Sequence, residues 1–213
     1  MVINEASDNC GAGAPGDATH LLRAMLAAAP RLPPGSCAFS GVIDPTTVEQ
    51  AHAAGVGASI TIELGGKADP DTGGQPIVVA DAYVKGLSDG RFTLTHWAPG
   101  LRVNIGNCAR LLVGGVDVVV ASRTQQTLDP GLLTLHGIDP STRKLIGLKS
   151  EAHFRAGFTH LARKIVTADD PGLSTARVET FVREKKTRPL WPQDDDAVYE
   201  YAEELALAEA ARL

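Results

Sequence analysis

The sequence predicts an α/β fold: a mixed sheet with flanking helices and an antiparallel hairpin insertion. Three observations predict it. Short β-prone runs alternate with segments of helical period. Asp-Pro pairs at Asp44-Pro45, Asp129-Pro130 and Asp139-Pro140 mark helix starts, the Asp as N-cap and the Pro at N1 with its φ preset. The middle third reads as strand pairs around Gly-containing turns, so it is antiparallel between β–α flanks.

Taken in order, Val2 to Ala6 is a short strand, and SDNCGAGAPGDATH is a glycine-rich loop. Asp17 or Thr19 caps a helix running through Ala29, with Leu21, Leu22, Met25 and Leu26 as its apolar stripe. Pro30, Pro33, Pro34 and Gly35 end it, and Cys37 to Ile43 is the next strand. A helix opens at Asp44-Pro45 and runs to about Ala54, where Gly55 is expected to take the left-handed C′ position. Ala58 to Leu64 is a strand leading into Gly65-Gly66-Lys67. Ile77 to Val84 and Arg91 to Thr95 are hairpin arms joined near Ser88-Asp89-Gly90, and Val103 to Val113 pairs with Val116 to Ala121 around Gly114-Gly115. A helix spans Pro130 to His136, a strand Leu145 to Leu148, a helix Glu151 to Ala162 with Ser150 as its N-cap, and a last strand Lys164 to Thr167. Two parts are expected: a domain over 1–194, and a helical tail over 195–213 whose Val198, Tyr201, Leu205 and Ala208 form a stripe suited to homo-oligomer assembly.

Composition narrows the function. The chain has 213 residues, 44% hydrophobic and 21% charged, which excludes disorder and leaves ample length for a core. Aromatics are only 5%, so that core is aliphatic. A net charge of -5 argues against a nucleic-acid binder, which needs a basic face. No apolar run reaches the roughly 20 residues of a membrane span. The N-terminus has no basic segment followed by an apolar run, and three cysteines without CxxC spacing suit a reducing compartment, so the expected location is cytoplasmic.

Two segments carry candidate chemistry. In the glycine loop, Asp8, Asn9, Gly11, Gly13, Gly16 and Asp17 precede a helix N-terminus, where free N–H groups suit an anion or carboxylate. The loop is neither GxGxxG nor a Walker motif, and it reads equally as a tight strand-to-helix turn with Asp17 as a cap. In GLKSEAHFRAGF, Lys149, Ser150, His153 and Arg155 leave a strand end for a helix, a common ligand position in α/β proteins. They read equally as a capped helix bearing solvated basic side chains, with Phe154 and Phe158 in the core. Lys67, after two glycines, is either an anion ligand or a solvated turn residue. No HExxH, HxH or GxSxG motif occurs. His153 and His160 on one helix would stand about 10.5 Å apart along its axis, too far to share one zinc. No catalytic residue and no metal ligand is therefore assigned to this chain.

As a set, INEASDNCGAGAPGDATHLLRAML, IDPTTVEQAHAAGVGASITIELGGK, HGIDPSTRKLIGLKSEAHFRAGF, the ADDPG turn and RPLWPQD resemble the C-terminal domain of the microcystinase C (MlrC) family, the M81 metallopeptidases. The resemblance covers residues 1 to about 194, in the family's order. It implies a zinc hydrolase acting on linear peptide products of microcystin breakdown, with the His and acidic zinc ligands in an N-terminal domain that this sequence lacks. It therefore implies an isolated C-terminal domain, inactive alone, whose partner is that zinc domain. The ten residues named above would help to complete the cleft and bind a peptide-like small substrate. Two other functions are to be weighed: a non-catalytic ligand-binding or assembly domain, and a self-sufficient enzyme whose metal site is assembled from scattered histidines. One departure stands out: Cys10-Gly11-Ala12-Gly13 occupies the place where relatives usually have a Pro and three glycines.

Overall fold

Runs that are apolar at nearly every position favour burial on both sides, and they form the centre of the sheet. The computed structural model describes residues 1–197. Met1–Thr175 forms one compact unit, and a second begins at Ala176. The expected tail helix lies, from residue 198 on, outside the described residues.

In the first unit, five parallel strands stand side by side: β10 (Ile165–Ala168), β1 (Val2–Glu5), β9 (Leu145–Lys149), β2 (Cys37–Ile43) and β8 (Val116–Ala121). The sheet continues antiparallel through β7 (Cys108–Val113), β4 (Ile77–Ser88) and β3 (Ser59–Leu64). The mixed sheet and flanking helices are as the sequence predicts. β8 and β9 are buried at every residue, as covering on both faces requires. In β4, Val79, Ala82 and Val84 are buried while Val78, Tyr83 and Lys85 are exposed, so this end of the sheet is covered on one face only.

Alternate residues feed two cores. Phe39 and Val42 of β2, Val118 and Val120 of β8 and Leu145 of β9 meet the helices α1 (His20–Ala28) and α2 (Pro45–Ala54). Ala38, Val119, Ile146 and Leu148 point the other way, toward α4 (Gly131–Leu135) and α5 (Arg155–Phe158). Phe154 and Phe158 sit fully buried there, as expected. In β2 the register shifts between Ser40 and Val42, with Gly41 at φ +88°. That bulge absorbs one residue, so Val42 rather than Gly41 joins Phe39 on the α1 side. Asp44 caps α2 through Thr47 N at 3.1 Å, as predicted; Gly55 closes it at φ +82° but with ψ 166°, a positive-φ extended conformation and not the expected left-handed helical one. The short α3 (Pro70–Gly73) completes the helices.

Three local expectations fail. Ile77–Ser88 and the following arm do not pair with each other: β5 (Arg91–Thr93) pairs with β6 (Arg102–Asn104) as a separate two-stranded ribbon. The chain enters at Gly90 and leaves at Gly106, both at positive φ, and any Cβ on Gly90 would collide with Gly106 O. This crossing turns the ribbon away from β4. Asp17 and Thr19 make no side-chain cap on α1; Asp17 Oδ2 instead accepts Lys67 N at 2.7 Å and Ala68 N at 2.8 Å. The helix expected over Glu151–Ala162 with Ser150 as cap is only α5, four residues long, preceded by a turn. Ser150 is spent on other partners, so nothing caps an earlier start.

Candidate functional site

All five parallel strands end at one edge of the sheet. The chain leaves β1 toward α1 on one face and leaves β9 toward α5 on the other, so β1 and β9 flank a topological switch point, where such sheets open a crevice. The sequence puts Glu5, Ser7, Asp8 and Asn9 at the end of β1, and Lys149 and Ser150 at the end of β9. Parallel register sets Glu5 opposite Lys149.

Lys149 is the pivot. Its side chain is 1% exposed, and its Nζ donates to Glu5 Oε2 at 2.5 Å, Asp8 Oδ2 at 2.8 Å and Ala18 O at 2.8 Å. All three ammonium hydrogens are used, so this lysine offers none to a ligand; the sequence-based reading of it as an anion donor gives way to an internal role. Burial works against the charged ammonium, but Glu5 and then Asp8 overcome it and raise the Lys149 pKa. Burial also raises the Glu5 carboxyl, against the pull of Lys149 and with Asp8 and Asp170 adding to the rise. The two directions differ in source: burial dominates at Glu5, and the partner carboxylates dominate at Lys149. Glu5 Oε1 and Ser7 Oγ are buried without a hydrogen-bond partner.

Asp8 organises the glycine loop. Its Oδ1 accepts Gly16 N at 2.9 Å and its Oδ2 accepts Ala18 N at 2.7 Å. Asn9 Oδ1 accepts Gly11 N at 3.0 Å, and Gly13 N donates to Cys10 O. The sequence suggests an anion cradle here; the structure fills that cradle from within, with the protein's own carboxylate and amide. Gly16 has φ +83°, and an added Cβ would collide with Cys10 Sγ and stand 2.7 Å from Ile43 Cγ1. Gly13, at φ +92°, has open space where a Cβ would stand, with no atom within 4 Å. We therefore expect Gly16→Val to cost roughly 2–4 kcal/mol of stability from strain and overpacking, and Gly13→Ala about 1–2 kcal/mol from backbone strain alone. Urea denaturation of both variants checks the order; equal losses contradict it. Burial pushes the Cys10 thiol up to about 11, which leaves it a poor nucleophile.

Around this rigid centre stands a polar rim. Gln126 Nε2 donates to Ser150 Oγ at 2.7 Å and lies 3.3 Å from His153 Nδ1. The Gln126 amide reaches so close to Gly11 that a Cβ there would meet its Cδ at 2.9 Å. His153 and Arg155 are exposed, the guanidinium 5.3 Å from the Phe154 ring centroid. The ribbon brings two more rings: Trp97 meets His153 edge-on at 5.1 Å, and His96 stacks on His160 at 5.1 Å. Asp129 pins that loop by accepting Thr95 N at 2.6 Å and His96 N at 3.2 Å. An open cleft of about 520 Å³ lies beside it, with Phe92, His96, Leu135, Asp139 and His160 among its walls. His153 and His160 share no helix, because α5 ends at Phe158. Lys67 binds Asp44 through Nζ at 2.8 Å, so it acts within the fold as a partner to the α2 cap.

Gln126, Glu5 and the ring-bearing loop were not legible as site residues. Only Glu5 left a trace, as an acidic residue inside a β-prone run; Gln126 and His96 depend on the ribbon and the strand order. Among the described residues no three His, Cys, Asp or Glu side chains converge to hold a metal ion, and none of their helices is long and apolar enough to cross a membrane.

Comparison with known proteins places this geometry. The family model described as MlrC C-terminus matches residues 3–185. Microcystinase C of Sphingomonas sp. is 29% identical over 192 residues, covering 90% of this chain and 35% of that protein. A solved structure from Mesorhizobium sp. BNC1, described as "Putative metallopeptidase", superposes with a TM-score of 0.78 at 24% identity, covering 93% of this chain and 39% of that one. The latter supports the fold. The chain thus spans little more than a third of the length of these relatives.

Proposed function

This chain belongs to the MlrC C-terminal family, and from that premise we propose that it is the substrate-cleft domain of a zinc hydrolase acting on a peptide-like substrate, with the zinc held by the portion that the longer relatives have in addition. The zinc does not fit this chain's own donors: among the described residues no ligand set converges, and His96 and His160 meet ring to ring. No step is assigned to the metal here.

One observation carries the reading. At the carboxyl ends of β1 and β9, a rim of Gln126 and His153, with Arg155 exposed at the start of α5, stands beside a buried ionic cluster. Lys149, Asp8, Asn9, Asp17, Gly16 and Ser150 position the rim by holding the loop, the strand end and the Gln126 amide. Gly13, exposed and with open space where a Cβ would stand, leaves room for a substrate backbone, while at Gly11 the absent side chain admits the Gln126 amide. Gln126 and His153 suit peptide amides, and Arg155 suits a terminal carboxylate, which a guanidinium grips with two parallel N–H bonds. The rim is preorganised because its supports are buried and hydrogen-bonded.

The test uses the chain joined to the companion region of the longer architecture. Arg155→Met is expected to raise KM about tenfold or more for a linear peptide with a free carboxylate, and to change little for its C-terminal amide. Equal KM changes for both peptides, or none, refute the assignment of Arg155. The inward-turned loop amides favour a second reading, a non-catalytic assembly domain. Turnover by the joined protein that is indifferent to changes at Gln126, His153 and Arg155 together selects it.

A further inference from the structure

The second unit contains a short, strongly basic run. Residues 183–190 read Arg-Glu-Lys-Lys-Thr-Arg-Pro-Leu, four cations to one acid, in a chain of net charge -5. The backbone here is curled and tied. Gln193 N and Asp194 N donate to Leu190 O at 2.8 and 3.0 Å, and Leu190 N donates to Asp194 Oδ2 at 2.7 Å. Arg183 Nη1 bonds Gln193 Oε1 at 2.8 Å and Val178 O at 2.9 Å. Lys186 Nζ bonds Asp194 Oδ1 at 2.6 Å, and this bond holds the Asp194 carboxyl below its usual range.

Beside the curl lies an open pocket of about 340 Å³ lined by Arg183, Lys185, Lys186, Thr187, Arg188 and Leu190, most of them exposed. Asp194 answers Lys186 alone; among the described residues Lys185 and Arg188 make no ion pair. Holding four cations around one small space costs Coulomb energy that an unstructured segment would relieve by spreading. A multivalent anion removes that cost.

We propose that this curl is a binding site for a phosphate-bearing ligand. Guanidinium forks and ammonium groups around one cavity match the oxygens of a phosphate, and the Thr187 hydroxyl adds a donor. The cationic groups gather at one open pocket rather than along a long basic stripe, which favours a single phosphorylated group over a nucleic-acid strand. Two sources carry this chemistry: a soluble phosphate compound and an anionic lipid headgroup.

The experiment titrates the chain with inorganic diphosphate by calorimetry, and sediments it with vesicles of phosphatidic acid in phosphatidylcholine or of phosphatidylcholine alone. The comparison variant is Lys185→Met with Arg188→Met; Lys164→Met is the control for loss of an exposed charge elsewhere. Saturable binding weakened at least tenfold in the double variant, and unchanged in the control, is expected. Binding of diphosphate assigns a soluble ligand, and binding confined to phosphatidic acid vesicles assigns the headgroup. Wild-type binding by the double variant, equally tight binding of citrate, or no binding in either arm overturns the proposal. Unchanged thermal melting of the double variant keeps a folding defect from mimicking the expected result.

Discussion

Lys149→Met is expected to lower the free energy of unfolding at neutral pH by about 3–5 kcal/mol, the loss that follows when one partner of a buried ion cluster is removed. Met matches the aliphatic stem, so packing changes little. What remains is Glu5 Oε2 and Asp8 Oδ2, both buried, facing the gap left by the ammonium. Either carboxylate must then take up a proton or draw in water. The deficit should therefore shrink as pH falls toward the ordinary Glu value of 4.5, and Glu5→Gln added to Lys149→Met should restore part of it. The alkaline side gives an independent sign. The folded Lys149 pKa lies above its ordinary 10.5, so its contribution is complete below 10.5 and is lost as pH rises through the raised value. Lys149→Met should abolish that alkaline loss. Denaturant titrations from about pH 4 to 11 measure both effects; a loss under about 1 kcal/mol at neutral pH would show the cluster to be a minor brace.

The second large effect lies at the opposite end of the sheet. Asp117, 1% exposed at the start of β8, accepts Arg110 Nε at 2.9 Å and Arg110 Nη2 at 3.0 Å, with Lys85 Nζ at 3.2 Å and Arg143 Nη2 at 3.4 Å. Asp117→Asn keeps the shape but leaves three cations with no counter-charge, and about 3–5 kcal/mol should be lost. Arg110 Nη1 also donates to His136 O at 2.9 Å. Burial would raise the Asp117 carboxyl, but the Arg110 and Lys85 bonds outweigh it and hold the pKa below 3.8. Burial first, and Arg110 second, push the His136 imidazole down to about 4. Both folded values lie below the unfolded ones, so the stability they contribute is present at higher pH and lost on acidification. His136 acts between 6.5 and about 4, with a contribution on the order of 3 kcal/mol; Asp117 acts below 3.8. His136→Gln should flatten the upper part of the acid limb and leave the lower part. A His136→Gln curve that still falls between pH 6.5 and about 4 would assign that limb to other groups.

Local chemistry was enough for most of the elements. Asp44-Pro45 starts a helix because a side-chain carboxylate and a fixed φ act within one turn, and Gly55 ends it for an equally local reason. The runs CAFSGVI, VDVVVA and LIGLK are mostly apolar and β-prone, which suits strands covered on both sides. The family resemblance was carried by such segments and is now supported over residues 3–185.

The site was less legible because its residues owe their roles to partners far away along the chain. Glu5 and Lys149 are 144 positions apart, and only the parallel register of β1 with β9 sets them face to face. Lys149 therefore looked like a donor for a ligand and proved to be a buried brace, a difference of environment and not of residue type. Asp8 and Asn9 look like loop polarity in sequence, yet in the fold they consume the very amides that a glycine-rich loop would otherwise present. Ser150 could not cap a helix once Gln126, from another strand-to-helix loop, claimed its hydroxyl. Periodicity and capping are short-range effects that the sequence determines by itself. Burial, register and charge balance are sums over the assembled molecule, so they alone decided which polar residues became supports and which were left at the rim.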